Sequence, residues 1–255
     1  MIVMKFGGTS VESAAAIARV AGIVRAREAR RPVVVVSAMG KTTNKLLEIA
    51  NAAIGGKRAE YIRLLHDLRD YHSREARLAT GLEQRAELER TLDEHFQELT
   101  ELVKGLAVLG ELTPRSIDAI SSYGERLSSI IVTLAFQHFG MTTAHVDSRR
   151  VIVTDRRHTQ AAPDFPETYA RLAATIPPLA RDAVVVMGGF IGSTKDGVTT
   201  TLGRGGSDFT ASIVGAGIGA EEIQIWTDVD GMLTADPTIL PGGHRVKTKI
   251  GRAHV

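Results

Sequence analysis

Three segments of this 255-residue chain combine glycine with charge at spacings suited to handling phosphate. The first is Lys5-Phe6-Gly7-Gly8-Thr9-Ser10, where two glycines let the backbone approach an anion and Lys5 adds a point charge. It is not a Walker loop, which needs Lys after the second glycine, nor a Gly-x-Gly-x-x-Gly fingerprint. The second is Gly203-Arg204-Gly205-Gly206-Ser207-Asp208, which opens a helical pattern at Phe209–Val214. Ser and Asp suit a helix start, but capping alone needs neither Arg204 nor three glycines. The third is Thr227-Asp228-Val229-Asp230-Gly231, continuing to Thr234-Ala235-Asp236-Pro237. Polar residues that close a strand line the crevice at the carboxyl edge of a parallel sheet, where ligands bind. Each segment also has a plain structural reading, as a strand-to-helix turn, an elaborate cap or an Asp/Gly turn. Together they imply a site that gathers phosphate-binding backbone and positive charge and has no obvious general base. His66, His72 and His95 fall on a helical stretch, and His145, His158 and His244 have no nucleophile partner in a recognisable elbow, so all six read as surface or packing residues. No His or carboxylate pairing has zinc-site spacing.

The elements that must position these segments follow from the apolar pattern. Ile2–Phe6, Val33–Val36, Val184–Met187 and Ile223–Trp226 are short apolar runs, interrupted only by Lys5 and Gln224, that lead into glycine or polar turns. Such runs indicate strands buried on both faces, as in a parallel sheet covered by helices. Ile17, Val20, Ala21 and Val24 lie at helical spacing, and Thr9 with Glu12 matches a capping box at the helix entry. Strand, glycine turn, helix and strand make a βαβ unit, so the class is α/β. The expected architecture is a three-layer α/β/α sandwich with a mainly parallel sheet. Residues 57–106 differ, being rich in Glu, Arg, Leu and Gln. There Leu64, Leu68 and Tyr71, then Leu88, Leu92 and Phe96, predict an amphipathic helical hairpin broken near Thr80-Gly81. Thr113-Pro114 starts a further helix.

Composition narrows the function classes. With 44% hydrophobic residues the chain can bury one substantial core, and no linker or repeat divides it. Its 31 basic and 29 acidic residues nearly cancel, and aromatics make up 5%, so nothing points to nucleic acid. The absence of cysteine excludes disulfides and thiolate chemistry. No signal peptide or apolar run of membrane length is present, which predicts a cytoplasmic protein with no membrane partner.

Six motifs in order resemble the amino-acid kinase superfamily and, within it, the aspartokinases. They are Lys5–Ser10, Ser37-Ala38-Met39-Gly40-Lys41-Thr42-Thr43-Asn44, Ser122-Tyr123-Gly124-Glu125-Arg126-Leu127-Ser128, Gly188-Gly189-Phe190-Ile191-Gly192, Gly203–Asp208 and Thr227–Gly231. The resemblance spans Met1 to about Lys249. It implies transfer of the ATP γ-phosphoryl group to the side-chain carboxylate of L-aspartate, with Mg²⁺ bound mainly through phosphates and water. Such an acceptor is already ionised at neutral pH, so the missing base is no obstacle.

By resemblance, Lys5 and Asp208 are the catalytic pair, Lys5 stabilising the transferring group and Asp208 orienting lysines and nearby backbone. Glu125 takes the α-ammonium of aspartate and Arg204 clamps a carboxylate. Thr43, Phe190, Gly205, Gly206 and Ser207 complete that pocket. Gly7, Gly8, Thr9, Ser10, Thr227, Asp228, Leu233, Asp236 and Pro237 serve the nucleotide. The family also implies a homo-oligomer in the full-length protein.

The chain departs from the family after Asp236-Pro237, where Thr238 stands in place of arginine and Arg245 is the nearest substitute. A downstream Gly-Ala-Lys-Val-Leu-His-Pro segment and the regulatory ACT domains have no counterpart, which predicts a catalytic domain over 1–249 cut short. Ile250-Gly251-Arg252-Ala253-His254-Val255 reads as a non-native tail encoded by a sequencing adapter. The competing readings are an acetylglutamate, glutamate 5- or uridylate kinase, and an aspartate- or nucleotide-binding fragment with little turnover. The Gly124–Ser128 segment and the helical hairpin favour aspartokinase over the other kinases.

Overall fold

The computed structural model describes residues 1–227. Five strands form a wholly parallel sheet: β1 (Ile2–Phe6), β2 (Pro32–Val36), β3 (Thr143–Val146), β5 (Val184–Gly188) and β8 (Glu222–Trp226), in the order β3-β5-β2-β1-β8. The first strand made therefore lies between β2 and β8, with Lys5 opposite Val35 on one side and Ile225 on the other. A smaller sheet joins β4 (Val153–Thr154), β6 (Ile191–Thr194) and β7 (Thr199–Thr201), with β6 parallel to β4 and antiparallel to β7.

Alternation along the parallel strands divides the interior into two cores. Ile2, Met4, Phe6, Val34, Val36, Val184 and Val186 face one of them. Against it pack α1 (Ala14–Arg25), α2 (Thr42–Ile54), α3 (Arg58–Ala79), α4 (Arg85–Leu109) and α6 (Tyr123–His138). Val3, Val33, Val35, Val185 and Met187 face the other, with α8 (Phe165–Leu179) and α9 (Gly206–Gly217). Helix, sheet and helix layers result, as the apolar strands predicted, but the edge strand β8 is not buried on both faces: Ile223 is 40% and Ile225 45% exposed. Two short helices, α5 (Pro114–Ser121) and α7 (Ser148–Val151), complete the described elements.

The hairpin stands where its periodicity placed it, with α3 ending at Ala79 and α4 starting at Arg85. Leu68, Leu88, Leu92 and Phe96 are buried, whereas Leu64 and Tyr71 are only partly covered. The α3 stripe runs instead through Tyr61, Leu65, Leu68, His72, Ala76 and Ala79. The capping expectation fails. Gly8–Val11 is a 3₁₀ turn, and Ser13, not Thr9, caps α1 by accepting from the Ala16 N–H at 3.2 Å. Thr113 does cap α5, accepting from the Ser116 N–H, with Pro114 at the first helical position.

Candidate active site

Lys5 occupies an odd position in β1, on the same face as Val3, and that face is covered by α9. Its Nζ lies 2.7 Å from Oδ1 of Asp208 in the first turn of α9. The lysine side chain is 11% exposed and the aspartate 55%, so the pair sits at a solvent boundary, its cation held by the fold and its anion reaching out. Gly205 precedes α9 at φ +74°, a left-handed conformation that glycine adopts without Cβ strain. No side chain caps this helix, so its first-turn amides and dipole face the same space as Lys5.

A second backbone loop closes on the first. The Gly40 N–H donates to the Gly8 carbonyl at 3.0 Å. A Cβ on Gly8 would come within 2.8 Å of the Ala38 carbonyl oxygen, so glycine is needed there for close approach. Helix α3 braces both loops from behind. Tyr71 donates to the Glu12 carbonyl, Glu75 accepts from the Ala14 N–H at 3.1 Å, and the His72 ring lies 3.4 Å from the Thr42 hydroxyl. Burial holds His72 neutral, its pKa lowered to about 4.

Glu125 enters from α6 and is 3% exposed. Its Oε1 accepts from the Ala38 N–H at 3.2 Å, while Oε2 is buried without any partner among the described residues. Desolvation pushes its pKa up to about 8, against the opposing pull of the Ala38 hydrogen bond. An orphaned buried carboxylate oxygen of this kind is made good by a cation or donor that arrives with a ligand.

These groups line one cleft of about 630 Å³. Of the residues the sequence singled out, Lys5, Gly8, Thr43, Glu125, Phe190, Arg204, Gly205, Gly206, Ser207 and Asp208 all border it. Arg204 is exposed and has no ion-pair partner among the described residues. Phe190 holds φ +64°, an uncommon conformation for a non-glycine residue, with its N–H given to the Thr210 hydroxyl at 2.9 Å. Gly7, Thr9, Ser10 and Thr227 do not border the cleft; Gly7 donates instead to the Trp226 carbonyl, at 3.4 Å. Asp228, Leu233, Asp236 and Pro237 lie outside the described residues, as do Thr238, Arg245 and the 250–255 segment.

Sequence reasoning missed part of the wall. Ile117 and Ser121 of α5, Thr159 and Thr201 also border the cleft. None sits in a glycine-rich or charged motif, and only the fold brings them there. A separate apolar hollow of about 560 Å³ opens between α3 and α4 around Tyr61, Leu65 and Phe96, and contains none of the predicted catalytic, substrate or nucleotide residues. Among the described residues no cluster of three His, Asp or Glu side chains is arranged to hold a metal ion. Likewise, no helix among them is long and apolar enough to cross a membrane.

Known proteins resemble the chain in sequence and fold. Aspartokinase 2, chloroplastic, of Arabidopsis thaliana is 38% identical over 96% of the chain and 45% of its own length. Lysine-sensitive aspartokinase 3 of Escherichia coli is 32% identical over 96% of the chain and 53% of its own length. The crystal structure of E. coli aspartokinase III in complex with lysine and aspartate superposes with a TM-score of 0.85 at 30% identity, covering 96% of this chain and 53% of that one. The same enzyme in complex with aspartate and ADP gives 0.83 at 32% identity, with the same coverage of the two chains. The chain thus spans about half the length of the relatives it matches. Residues 1–249 match the amino acid kinase family along nearly the whole sequence, and the chain belongs to that family.

Proposed function

We propose that this chain carries the catalytic machinery for ATP-dependent phosphorylation of the side-chain carboxylate of L-aspartate. One observation carries the reading: a single cleft joins a buried carboxylate with an orphaned oxygen, Glu125, to an embedded cation, Lys5, at an uncapped helix start. An amino acid brings an ammonium group for the first, and a triphosphate brings negative charge for the second. The E. coli relative crystallised with aspartate and ADP supports both ligands.

In this reading Glu125 Oε2 receives the α-ammonium, and Arg204 holds a carboxylate through its planar fork. Thr43, Phe190, Gly205, Gly206 and Ser207 shape the remaining acceptor pocket. Gly7, Gly8, Thr9 and Ser10 serve the phosphates, and Thr227 with Asp228, Leu233, Asp236 and Pro237 serves the rest of the nucleotide. A free side-chain oxygen of aspartate then forms a bond to the γ-phosphorus as the bond from phosphorus to the bridging oxygen breaks, leaving 4-phospho-aspartate and ADP. No proton is removed, because the acceptor is already a carboxylate. The barrier is repulsion between two anions, and positioned cations lower it. Lys5 meets the charge on the transferring group, while Asp208, 2.7 Å from its Nζ, fixes the lysine. Mg²⁺ would arrive on the nucleotide, neutralising phosphate charge, since Asp208 is already committed to Lys5. In the longer protein the same reading extends to homo-oligomers, cytoplasmic location and a first step towards lysine and threonine.

The test is a coupled ADP-release assay with a panel of acceptors. Turnover with aspartate, and none with N-acetylglutamate, glutamate or UMP, is the expected result. Preference for any of the other three would overturn the acceptor assignment.

A further inference from the structure

Asp118 is fully buried in α5, yet it is absent from every motif that pointed to the cleft. Its carboxylate makes four contacts with three groups on two distant segments. Oδ1 takes the Thr159 N–H at 3.0 Å and the Thr201 hydroxyl at 2.5 Å. Oδ2 faces Nδ1 of His158 at 2.7 Å and the same Thr159 N–H at 3.1 Å. Thr159 and Thr201 both border the cleft, as do Ile117 and Ser121 on either side of Asp118 in α5. One buried carboxylate therefore ties together three stretches of the cleft wall.

The tie has a consequence for the glycine-rich segment. Thr159 sits at φ +70°, a conformation that costs a β-branched residue strain and persists only where the surroundings impose it. Its carbonyl oxygen lies where a Cβ on Gly203 would be only 3.1 Å away, so the Thr159 backbone packs directly on the residue before Arg204. The Ala161 N–H donates to the Thr201 carbonyl at 2.9 Å and ties the segment after Thr159 to β7.

We propose that Asp118 is a positioning residue for the amino-acid acceptor: it holds Thr159 in its left-handed conformation and so sets the Gly203-Arg204 backbone against the pocket. The proposal rests on the acceptor reading above. It assigns Asp118 to the acceptor half of the cleft, since its contacts reach Thr159, Thr201 and, through Thr159, Gly203, but not Lys5 or Gly8.

Calorimetric binding of aspartate and of a non-hydrolysable ATP analogue to the wild-type chain, Asp118→Asn and Thr201→Val reads the proposal. Asparagine keeps the shape but turns an NH₂ group towards donors, so one of them loses its acceptor. Aspartate affinity should fall roughly 10- to 100-fold in Asp118→Asn, the cost of one buried unmet donor, and less in Thr201→Val, which removes a single bond. The ATP analogue should bind within about threefold of wild type in both. Adding Thr159→Gly to Asp118→Asn should restore part of the aspartate affinity, because glycine holds φ +70° without strain.

Hydrogen exchange supplies a reading independent of substrate. The Thr159 amide should lose protection in Asp118→Asn while the β2 amides keep theirs. If the wild-type chain binds no aspartate, the functional reading fails on its own, and the exchange result still tests the clamp. Unchanged Thr159 protection would overturn the proposal. So would unchanged aspartate affinity, or an equal loss for both ligands, which would mark Asp118 as a general support of the fold.

Discussion

The two carboxylates of the cleft live under opposite conditions. Asp208 stands at the start of α9 with over half of its side chain in solvent and a lysine at 2.7 Å. Glu125 stands in α6 with almost none of its surface exposed, one oxygen on a backbone amide and the other without a partner among the described residues. Asp208 is a charge whose partner is already present. Glu125 is a carboxyl group whose Oε2 has no partner among the described residues, and burial raises its proton affinity. A carboxylate that recognises a cation must stay hungry for one, whereas a carboxylate that aims a catalytic lysine must already be bound to it. The two carboxylates of the cleft are thus distinguished by electrostatic state.

The largest expected effect probes the Asp208 end. Lys5→Ala should lower kcat by on the order of 10²–10³-fold, as removal of one preorganised charge at a transition state typically does. The aspartate KM should move little. A variant with intact kcat and a weakened aspartate KM would collapse the distinction between the two ends.

The next effect belongs to the other end. Glu125→Ala should raise the aspartate KM about 30- to 150-fold, the equivalent of about 2–3 kcal/mol for a lost charge-assisted contact, with ATP binding nearly intact. Loss of ATP affinity with unchanged aspartate affinity would place Glu125 in the nucleotide half.

A smaller effect sharpens the comparison through protons. Near pH 7 the free protein holds a proton on Glu125, whose pKa is about 8, and an arriving ammonium favours the ionised form. Aspartate binding should therefore release up to about one proton, seen as a buffer-dependent binding enthalpy that Glu125→Gln abolishes. Stability follows the same group. A folded pKa raised above the ordinary 4.5 contributes stability that is full below pH 4.5 and is lost as pH rises through about 8. His72 acts in the other direction, its contribution full above pH 6.5 and lost as pH falls through about 4. Between pH 6.5 and 8 only the Glu125 slope remains of these two, and denaturant titrations of Glu125→Gln should be flatter there than those of the wild type.

The smallest effect is on stability at the exposed end. Asp208→Asn should change unfolding free energy by no more than about 1 kcal/mol, since half-exposed ion pairs contribute little. A larger loss would mean that Asp208 is structurally committed in the way Glu125 is.

How legible each end was in the sequence follows from how local its cause is. Lys5, Gly8 and Gly203–Asp208 advertise themselves because glycine and charge at a strand end or helix start have meaning within six residues. Glu125 could be named only through family resemblance, because its orphaned oxygen depends on α6 docking beside Ala38, across 87 positions. Asp118 was invisible for the same reason, with its donors 40 to 83 residues away. The parallel sheet was readable from short apolar runs. The β4-β6-β7 sheet was not, since strands of two to four residues are too short to show a period. Thr9 and Glu12 fit a capping template, but close packing of Gly8 on the Ala38–Gly40 loop pulled that stretch into a 3₁₀ turn and left the cap to Ser13.

The position of β1 bears on how the chain is made. Its hydrogen-bonding partner on one side, β2, is translated almost at once, but the other, β8, pairs Ile2 with Glu222. At ordinary rates of synthesis, that leaves one edge of β1 open on the ribosome for roughly 10–40 s. Open edges of apolar strands invite pairing with other chains, and a lysine within them is a common deterrent. Within Ile-Val-Met-Lys-Phe the sole charge is Lys5. The lysine that pairs with Asp208 in the folded chain thus also guards the nascent chain while β1 waits for β8.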